Sequence, residues 1–168
     1  MELSDNKAKI AVVGLGNAGL PLAAVIADRG IAVLGVDINE ERCRLINQGI
    51  NPIPEEEGLG ELIIRHGGKN LIATPLFEDA RDCTSFVVIV PLFVDQSNNP
   101  DFSIMEKALL SLGRILKRED LVVLETTFPP GTTSGRVKKL LCETSGLKEG
   151  EFFLAYSPER IMTGYSIS

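Results

Sequence analysis

The chain alternates short apolar runs with longer amphipathic segments. The apolar runs have the length of strands, and they occupy residues 10–13, 31–36, 71–73, 86–90, 121–124 and 152–155. Helical patterns lie between them, at residues 19–29, 40–48, 56–65, 103–116 and 132–143. Continuous apolar runs indicate strands that are buried on both sides, which is typical of parallel sheets. The pattern therefore predicts an α/β fold: a doubly wound, mostly parallel sheet with helices on both faces.

A glycine-rich turn after the first predicted strand indicates a nucleotide site. Gly14, Gly16 and Gly19 form a Gly-x-Gly-x-x-Gly motif that leads from the strand directly into a helix, with Asn17 and Ala18 before the last glycine. In Rossmann-type folds these glycines allow a tight turn, close approach of the backbone to a pyrophosphate, and close packing of the helix. The N–H groups at the helix N-terminus favour the phosphate charge. We therefore expect a Rossmann-type dinucleotide-binding domain.

Asp37 indicates which dinucleotide is bound. It follows the second predicted strand, roughly 20 residues beyond the glycine motif, where this fold carries the carboxylate that binds the adenosine ribose. Such a carboxylate accepts a hydrogen bond from the ribose 2′-hydroxyl and repels a 2′-phosphate, so NAD is predicted rather than NADP. The alternative is that Asp37 only caps the helix that begins near Glu40, although Asn39 is at least as good a cap.

Length and charge restrict the domain organisation and the partners. The 168 residues, 44% of them hydrophobic, are enough for one domain, predicted at residues 9–168 after a flexible N-terminus at residues 1–8. The net charge of −6 and the lack of a long Lys/Arg run argue against a nucleic-acid partner. The N-terminus lacks a signal-peptide pattern, and no apolar run reaches the ~20 residues of a membrane span. We therefore expect a cytoplasmic protein without a membrane partner.

The cysteines and the histidine do not indicate a catalytic or metal site. Cys43, Cys83 and Cys142 are odd in number and widely spaced, which predicts thiols in a reducing compartment rather than disulfides. None has a neighbouring histidine or lies on a glycine turn, so we expect small, partly buried thiols. His66, the only histidine, lies near the end of a predicted helix, where it complements the helix dipole.

Loops that follow strands are the expected places for ligands in an open α/β sheet. Pro91 directly follows one predicted strand, and Thr-Thr-Phe-Pro-Pro-Gly-Thr-Thr at residues 126–133 follows another. By contrast, the acidic segment 51–58 is expected to be a proline-stiffened turn leading into a helix whose first turn is acidic. Nothing in that segment requires chemistry.

Several segments, taken in order, resemble the UDP-glucose/GDP-mannose dehydrogenase family, specifically its N-terminal NAD-binding domain. The resemblance runs from residue 9 to residue 164 and is carried by residues 14–23, 35–39, 52–58, 99–101, 125–133 and 156–160. The most specific segments are the one rich in threonine and proline and Ser-Pro-Glu-Arg at residues 157–160. The latter is similar to the branch that acts on UDP-N-acetylhexosamines such as UDP-N-acetylmannosamine.

The resemblance implies a reaction and a role for each matching residue. Family members oxidise the C6 alcohol of the sugar to a carboxylate in two NAD-dependent steps, through an aldehyde that a cysteine captures and a thioester that is then hydrolysed. The residues implied to bind the cofactor are Gly14, Gly16, Asn17, Ala18, Gly19, Asp37, Arg42, Pro91, Leu92 and Thr126. The implied catalytic residues are Thr127, which helps to position a water, and Glu159, a general base. Arg160 and Ile161 are implied to contact the UDP-sugar substrate.

Simpler interpretations remain open for some of these residues. Arg42 is equally consistent with an exposed helix arginine, and Thr126 and Thr127 with caps of the following helix. Without the resemblance, Glu159 and Arg160 would be interpreted as an ordinary surface pair.

The chain also departs from the family pattern. The family usually has Val-Pro-Thr-Pro where this chain has Val-Pro-Leu-Phe at residues 90–93, so a threonine hydroxyl that would contact the cofactor is missing. The sequence ends at Ser168, before the family's central helical region, its nucleophilic cysteine and its C-terminal nucleotide domain. We therefore expect a part of a longer enzyme, homodimeric or larger when whole, that binds NAD without turnover.

Two other functions remain open at this point. The first is a stand-alone NAD-binding regulatory module without catalysis, and the second is another dehydrogenase of the β-hydroxyacid type. Segments 126–133 and 157–160 speak against the second. A reading frame that continues into a glycine-flanked cysteine would favour the enzyme over the module.

Overall fold

The computed structural model describes residues 10–158 together with Arg160, Gly164 and Ile167. The strands are β1 (Ile10–Val13), β2 (Val33–Val36), β3 (Leu71–Thr74), β4 (Ser85–Val88), β5 (Phe93–Val94), β6 (Pro100–Asp101), β7 (Leu121–Leu124) and β8 (Phe153–Tyr156). The α-helices are α1 (Gly19–Asp28), α2 (Glu40–Asn47), α3 (Leu59–His66), α4 (Ser103–Gly113) and α5 (Lys138–Ser145). None of these helices has the length and apolar character needed to cross a membrane. The predicted flexible stretch 1–8 lies outside the described residues.

Six strands form one parallel sheet in the order β3-β2-β1-β4-β7-β8. The chain adds strands on one side of β1 first and, from β4 onward, on the other side. This reversal creates a switch point between β1 and β4, where open α/β sheets bind ligands. Val13 lies beside both Val36 and Val88, so the loops after β1, β2 and β4 leave the sheet at the same edge. The predicted Rossmann-type, doubly wound α/β fold is confirmed.

Successive residues of β1 enter two different cores. Ala11 and Val13 belong to a cluster that includes Leu109 of α4, whereas Val12 belongs to a cluster that includes Leu20 of α1. Because neighbouring side chains of a strand point to opposite faces, a strand covered on both faces must be apolar at every position. This is the physical reason why β1 appears in the sequence as an uninterrupted apolar run.

Several predicted boundaries were wrong: β2 begins at Val33 rather than residue 31, β4 ends at Val88 rather than residue 90, and α4 ends at Gly113 rather than residue 116. Three further differences have an identifiable local cause. The helix expected from residue 56 begins at Leu59, because Gly58 before it adopts φ +79, outside the helical region. The last strand covers Phe153–Tyr156 rather than residues 152–155, since Phe152 packs into the core before the strand begins. The helix expected at residues 132–143 starts instead as a π-helical turn, Thr133–Val137, that continues into α5.

Two small elements were not predicted. A 3₁₀ helix, Phe77–Asp82, follows β3, and an antiparallel hairpin of β5 and β6 lies between β4 and α4. The turn of the hairpin is held by Asp95, whose Oδ1 accepts the backbone N–H groups of Ser97 and Asn99 at 2.8 Å. The 3₁₀ helix connects the carboxyl end of β3 to the start of β4, and the hairpin follows the carboxyl end of β4.

Candidate cofactor site

A cavity of about 760 Å³ opens at the switch point, at the carboxyl ends of β1, β2, β4 and β7. This volume lies within the usual range of small-molecule sites. The predicted cofactor and catalytic residues that line it are Gly14, Gly16, Asn17, Ala18, Gly19, Asp37, Arg42, Pro91, Thr126 and Thr127. The fold thus brings together residues that follow four separate strands and that the sequence motifs and the family resemblance had singled out.

The glycines of the motif have different steric surroundings. Gly14 has φ +93, and a Cβ built on it would lie 2.3 Å from the carbonyl oxygen of Ile89. A Cβ on Gly19 would lie 1.8 Å from the carbonyl oxygen of Gly14, whereas nothing lies within 4 Å of a Cβ on Gly16. Packing therefore requires glycine at 14 and 19, and Gly16 leaves an open cradle on the cavity wall. A diphosphate that approaches the backbone closely needs such a cradle.

The amino end of α1 faces the same cavity. Ala18 occupies its N-cap position without a capping side-chain hydrogen bond, and its first turn contains no acidic residue. The first N–H groups of a helix have no partner within the helix, and together they attract an anion. The amino end of α1 is therefore suited to bind a phosphate group, because the first turn of this helix contains no carboxylate that would repel it.

Asp37 joins the end of β2 to the glycine motif. Asp37 as a whole is only 8% exposed. Its Oδ2 accepts the backbone N–H of Leu15 at 2.7 Å. The same oxygen lies 3.1 Å from Nη1 of Arg42, and Oδ1 accepts the N–H of Asn39 at 2.9 Å. The carboxylate therefore fixes the turn that carries the glycines and also lines the cavity itself.

The cap of α2 is Asn39 and not Asp37. Asn39 has extended backbone angles, and its Oδ1 accepts the N–H of Arg42 at 3.0 Å. The Arg42 side chain, 31% exposed, turns back towards Asp37 and the cavity. The capping alternative for Asp37 and the solvent-exposed alternative for Arg42 therefore do not describe this structure.

The loop after β7 contacts the loop after β4. The hydroxyl of Thr126 donates to the carbonyl oxygen of Val90 at 2.6 Å, so it ties two cavity loops together instead of capping a helix. Thr127 is exposed and lines the cavity. Leu92 is the predicted cofactor residue that does not line the cavity, because its half-buried side chain packs against the core cluster that contains Val13.

Sequence reasoning missed one wall of the cavity. Lys107 and Ser111 of α4 line it, as does Phe77 at the start of the 3₁₀ helix. Lys107 and Ser111 are four positions apart and so share one helix face, which was a signal available in the sequence. Phe77 gave no comparable signal, because a 3₁₀ helix has no long hydrophobic period.

The predicted substrate segment begins where β8 ends. The N–H of Ser157 donates to the carbonyl oxygen of Leu124 at 2.9 Å, which aligns the start of the segment with the end of β7. Arg160 is exposed and does not line the cavity. Glu159 and Ile161, the other predicted residues of this segment, lie outside the described residues.

Neither the cysteines nor His66 lines the cavity, although the Cys43 thiol donates to the carbonyl oxygen of Asp37 at 3.4 Å. Cys43 and Cys83 are buried, and Cys142 is half-buried on α5. Burial raises the pKa of the Cys83 thiol to about 11, helped by the nearby charge of Asp82, and burial also raises the pKa of Cys43. Raised pKa values keep both groups protonated and unreactive near neutral pH. The ring of His66 contacts Asp28, with 2.9 Å between Nε2 and Oδ1.

We expect alkylation of the folded chain to modify Cys142 and to spare Cys43 and Cys83. The reason is that Cys142 alone is partly accessible, whereas the other two are buried with raised pKa values. Timed labelling with iodoacetamide at neutral pH, followed by peptide mass mapping, measures this directly. Labelling of all three thiols in denaturant is the control, and rapid labelling of Cys83 in the folded chain would contradict the expectation.

Comparison with known proteins agrees with this geometry. Residues 8–168 match the model of the UDP-glucose/GDP-mannose dehydrogenase family, NAD binding domain. UDP-N-acetyl-D-mannosamine dehydrogenase of Pyrococcus horikoshii is 40% identical over 93% of this chain and 37% of its own length. UDP-N-acetyl-D-glucosamine 6-dehydrogenase of Pseudomonas aeruginosa is also 40% identical, over 93% of this chain and 36% of its own length.

A solved structure gives the same result at the level of the fold. The ternary complex of GDP-mannose dehydrogenase from Pseudomonas aeruginosa has a TM-score of 0.88 and 29% identity, covering 95% of this chain and 38% of that chain. The chain therefore spans little more than a third of the length of the proteins that it matches. The glycine turn, Asp37 and the match over residues 8–168 lead to one assignment. The chain belongs to the UDP-glucose/GDP-mannose dehydrogenase family and corresponds to its NAD-binding domain.

Proposed function

We propose that this chain is the cofactor-binding part of a UDP-sugar 6-dehydrogenase that oxidises a UDP-N-acetylhexosamine to the uronate in two NAD-dependent steps. The observation that carries the proposal is the joint position of the glycine turn, Asp37 and the loop after β7 around one cavity. The relatives with 40% identity are named for UDP-N-acetyl-D-mannosamine and UDP-N-acetyl-D-glucosamine, and this supports the substrate class.

The lining of the cavity suggests how NAD is held. The open cradle at Gly16 and the N-terminus of α1 would bind the pyrophosphate. Asp37 would accept the hydroxyl of the adenosine ribose, with Arg42 beside it on the adenosine side. Pro91 and Thr126 would then face the nicotinamide half, since their loops follow β4 and β7 on the other side of the switch point. NAD, when bound, supplies the hydride acceptor for both oxidations.

The residues proposed for chemistry and substrate binding follow β7 and β8 in the sequence. Thr127, exposed on the cavity wall, is suited to hold a water by its hydroxyl. Glu159 would remove a proton from that water during thioester hydrolysis, and Arg160 and Ile161 would contact the sugar nucleotide. A guanidinium such as that of Arg160 suits a phosphate or carboxylate because it donates two parallel hydrogen bonds.

None of the three cysteines lines the cavity, and two of them are buried. We therefore propose that the cysteine that captures the aldehyde is supplied by a region that these 168 residues do not include. The chain alone would then bind the oxidant without completing the reaction.

Calorimetric titration of the purified chain with NAD, NADP and UDP-N-acetylmannosamine tests the proposal. We expect NAD to bind and NADP to bind at least about tenfold more weakly, because Asp37 lines the part of the cavity proposed for the adenosine ribose. We also expect no NADH absorbance when NAD and the UDP-sugar are mixed with the chain. Absence of NAD binding would refute the cofactor assignment, and steady NADH formation would refute the proposed need for a further region.

A further inference from the structure

Glu56 is buried although it belongs to the most acidic segment of the chain. Glu56 is 2% exposed, whereas Glu55 and Glu57 on either side of it are exposed. Burial of a carboxylate is unfavourable unless hydrogen bonds satisfy it. The sequence predicted only a stiff acidic turn here, so the position of Glu56 requires an explanation of its own.

The Glu56 carboxylate is connected to the far end of the chain. Its Oε2 accepts the backbone N–H of Gly164 at 2.7 Å, across 108 residues. Gly164 has φ +93, a conformation that glycine adopts far more readily than other residues. A hydrogen bond from an N–H to a carboxylate is among the stronger types in proteins. The contact is therefore a specific one between two distant segments.

A second contact lies beside the first. A Cβ built on Gly58 would be 3.4 Å from Cγ2 of Ile167, and Ile167 packs against the core cluster that contains Leu20 and Leu59. The end of the described chain is thus fixed at two points, by the hydrogen bond of Gly164 to Glu56 and by the packing of Ile167 against the core cluster. Two contacts define an orientation, which one contact does not.

The loop that carries Glu56 is itself well ordered by hydrogen bonds. Asn51 accepts the N–H of Ile53 at 2.9 Å and donates its side-chain amide to the Ile53 carbonyl at 3.0 Å. The N–H of Glu56 donates to the same carbonyl at 3.2 Å, and Glu56 in turn accepts the N–H of Leu59 at 3.3 Å. The carboxylate therefore projects from a preorganised turn, which makes it a suitable anchor.

The two ends of the connected segment lie on different parts of the fold. Tyr156 ends β8 at one edge of the sheet, whereas Gly164 lies beside the loop before α3. α3 packs against α1, whose amino end faces the cofactor cavity. Arg160 comes between the two ends in the sequence, so the Gly164 contact limits where Arg160 is placed.

We propose that Glu56 is a positioning residue that, by accepting the Gly164 N–H, fixes the chain after β8 and thereby restricts the position of Arg160. The use of that segment for a sugar nucleotide rests on the proposed function. The anchoring itself is measurable without any ligand, so the two can fail independently.

Hydrogen exchange and amide NMR of the 168-residue chain test the anchoring. In Glu56→Ala we expect the Gly164 amide to exchange at least about tenfold faster and its proton resonance to move upfield, because the carboxylate acceptor is lost. Glu56→Gln keeps an acceptor oxygen and should recover most of the protection. Glu57→Ala, an exposed neighbour on the same turn, should behave as the wild type.

The outcomes separate anchoring from a general loss of stability. Exchange in β1 and α1 should stay unchanged in Glu56→Ala, and the NAD affinity should stay within about twofold. If Glu56→Ala unfolds, Gly164→Ala decides, because strain at φ +93 should release the packing of Ile167 and leave β1 and α1 unchanged. Wild-type exchange at Gly164 in Glu56→Ala, or at Ile167 in Gly164→Ala, would overturn the proposal. Failure of the wild type to bind NAD would overturn only the proposed function.

Discussion

Gly16→Ala is expected to lose NAD binding in a domain that remains folded, whereas Gly19→Ala is expected to unfold the domain. The two glycines belong to one motif, yet their surroundings differ. A Cβ on Gly16 meets nothing within 4 Å, and a Cβ on Gly19 would lie 1.8 Å from the Gly14 carbonyl oxygen. One alanine therefore fills the cradle on the cavity wall, and the other forces helix and strand apart.

The expected magnitudes follow from these contacts. In Gly16→Ala the methyl group occupies space that the pyrophosphate needs, so we expect the Kd for NAD to rise on the order of a hundredfold. The melting temperature should change little. In Gly19→Ala a backbone atom must move, and we expect a loss of about 3 kcal/mol or more in the free energy of unfolding. Calorimetry with NAD and urea unfolding measure the two quantities.

Gly135→Ala provides a matched control for Gly16→Ala. Gly135 is also a glycine whose Cβ position is open and whose φ is not positive, and it does not line the cavity. We expect it to keep both NAD affinity and stability. Equal NAD affinity in Gly16→Ala and Gly135→Ala would contradict the placement of the pyrophosphate at the glycine turn.

Asp37→Ala is expected to weaken NAD binding and to remove the preference for NAD over NADP. The carboxylate lines the cavity and is paired with Arg42 at 3.1 Å. Its removal takes away an acceptor for the ribose hydroxyl and releases a guanidinium that can attract a 2′-phosphate. A hydrogen bond to a charged group contributes about 1.5–3 kcal/mol, so the affinity for NAD should fall about ten- to hundredfold.

A second effect of Asp37→Ala is structural and needs its own control. Leu15 is fully buried, and its backbone N–H would lose its acceptor, the Asp37 carboxylate. An unsatisfied buried N–H costs about 1–3 kcal/mol in the free energy of unfolding. Asp37→Asn keeps an acceptor oxygen and removes only the charge, so it should fold well and still fail to discriminate against NADP. Calorimetric titration of both variants with NAD and NADP measures the preference.

Asn39→Ala tests the capping interpretation separately. Loss of the α2 cap should cost about 1 kcal/mol of stability and leave the ratio of NAD to NADP affinity unchanged. Discrimination that persists in Asp37→Asn, or that disappears in Asn39→Ala, would show that the carboxylate of Asp37 does not determine the choice of cofactor.

The sequence was sufficient for the sheet and for most of the cavity because both depend on local patterns. A strand such as β1, apolar at every position, and a glycine turn that directly follows it are constrained by neighbouring residues alone. Asp37 was found for the same reason, since its distance from the glycines is fixed by one helix and one strand. The helix start at Leu59 was missed because it depends on the φ of a single glycine, Gly58.

Other features depend on contacts that the sequence does not encode locally. Leu92 was expected at the cofactor because it takes the place of a threonine in the family pattern, but an apolar side chain gains more by packing into the core. Glu56 is buried and accepts the N–H of Gly164, 108 residues away, whereas Glu55 and Glu57, the same residue type, are exposed. The hairpin of β5 and β6 has strands of two residues each, too short for any period to be recognised.

The order of strands in the sheet determines when the cofactor site appears during folding. One neighbour of β1 is β2, the next strand in the sequence. Its other neighbour, β4, can pair with it only after β3 and the 3₁₀ helix have been synthesised and the chain has returned to β1. Gly14 packs against the backbone of Ile89, just beyond β4, so the turn is complete only when this long loop has closed. Because this site forms late in folding, a ligand can bind only the fully folded domain. NAD would therefore slow the unfolding of this domain rather than speed its folding.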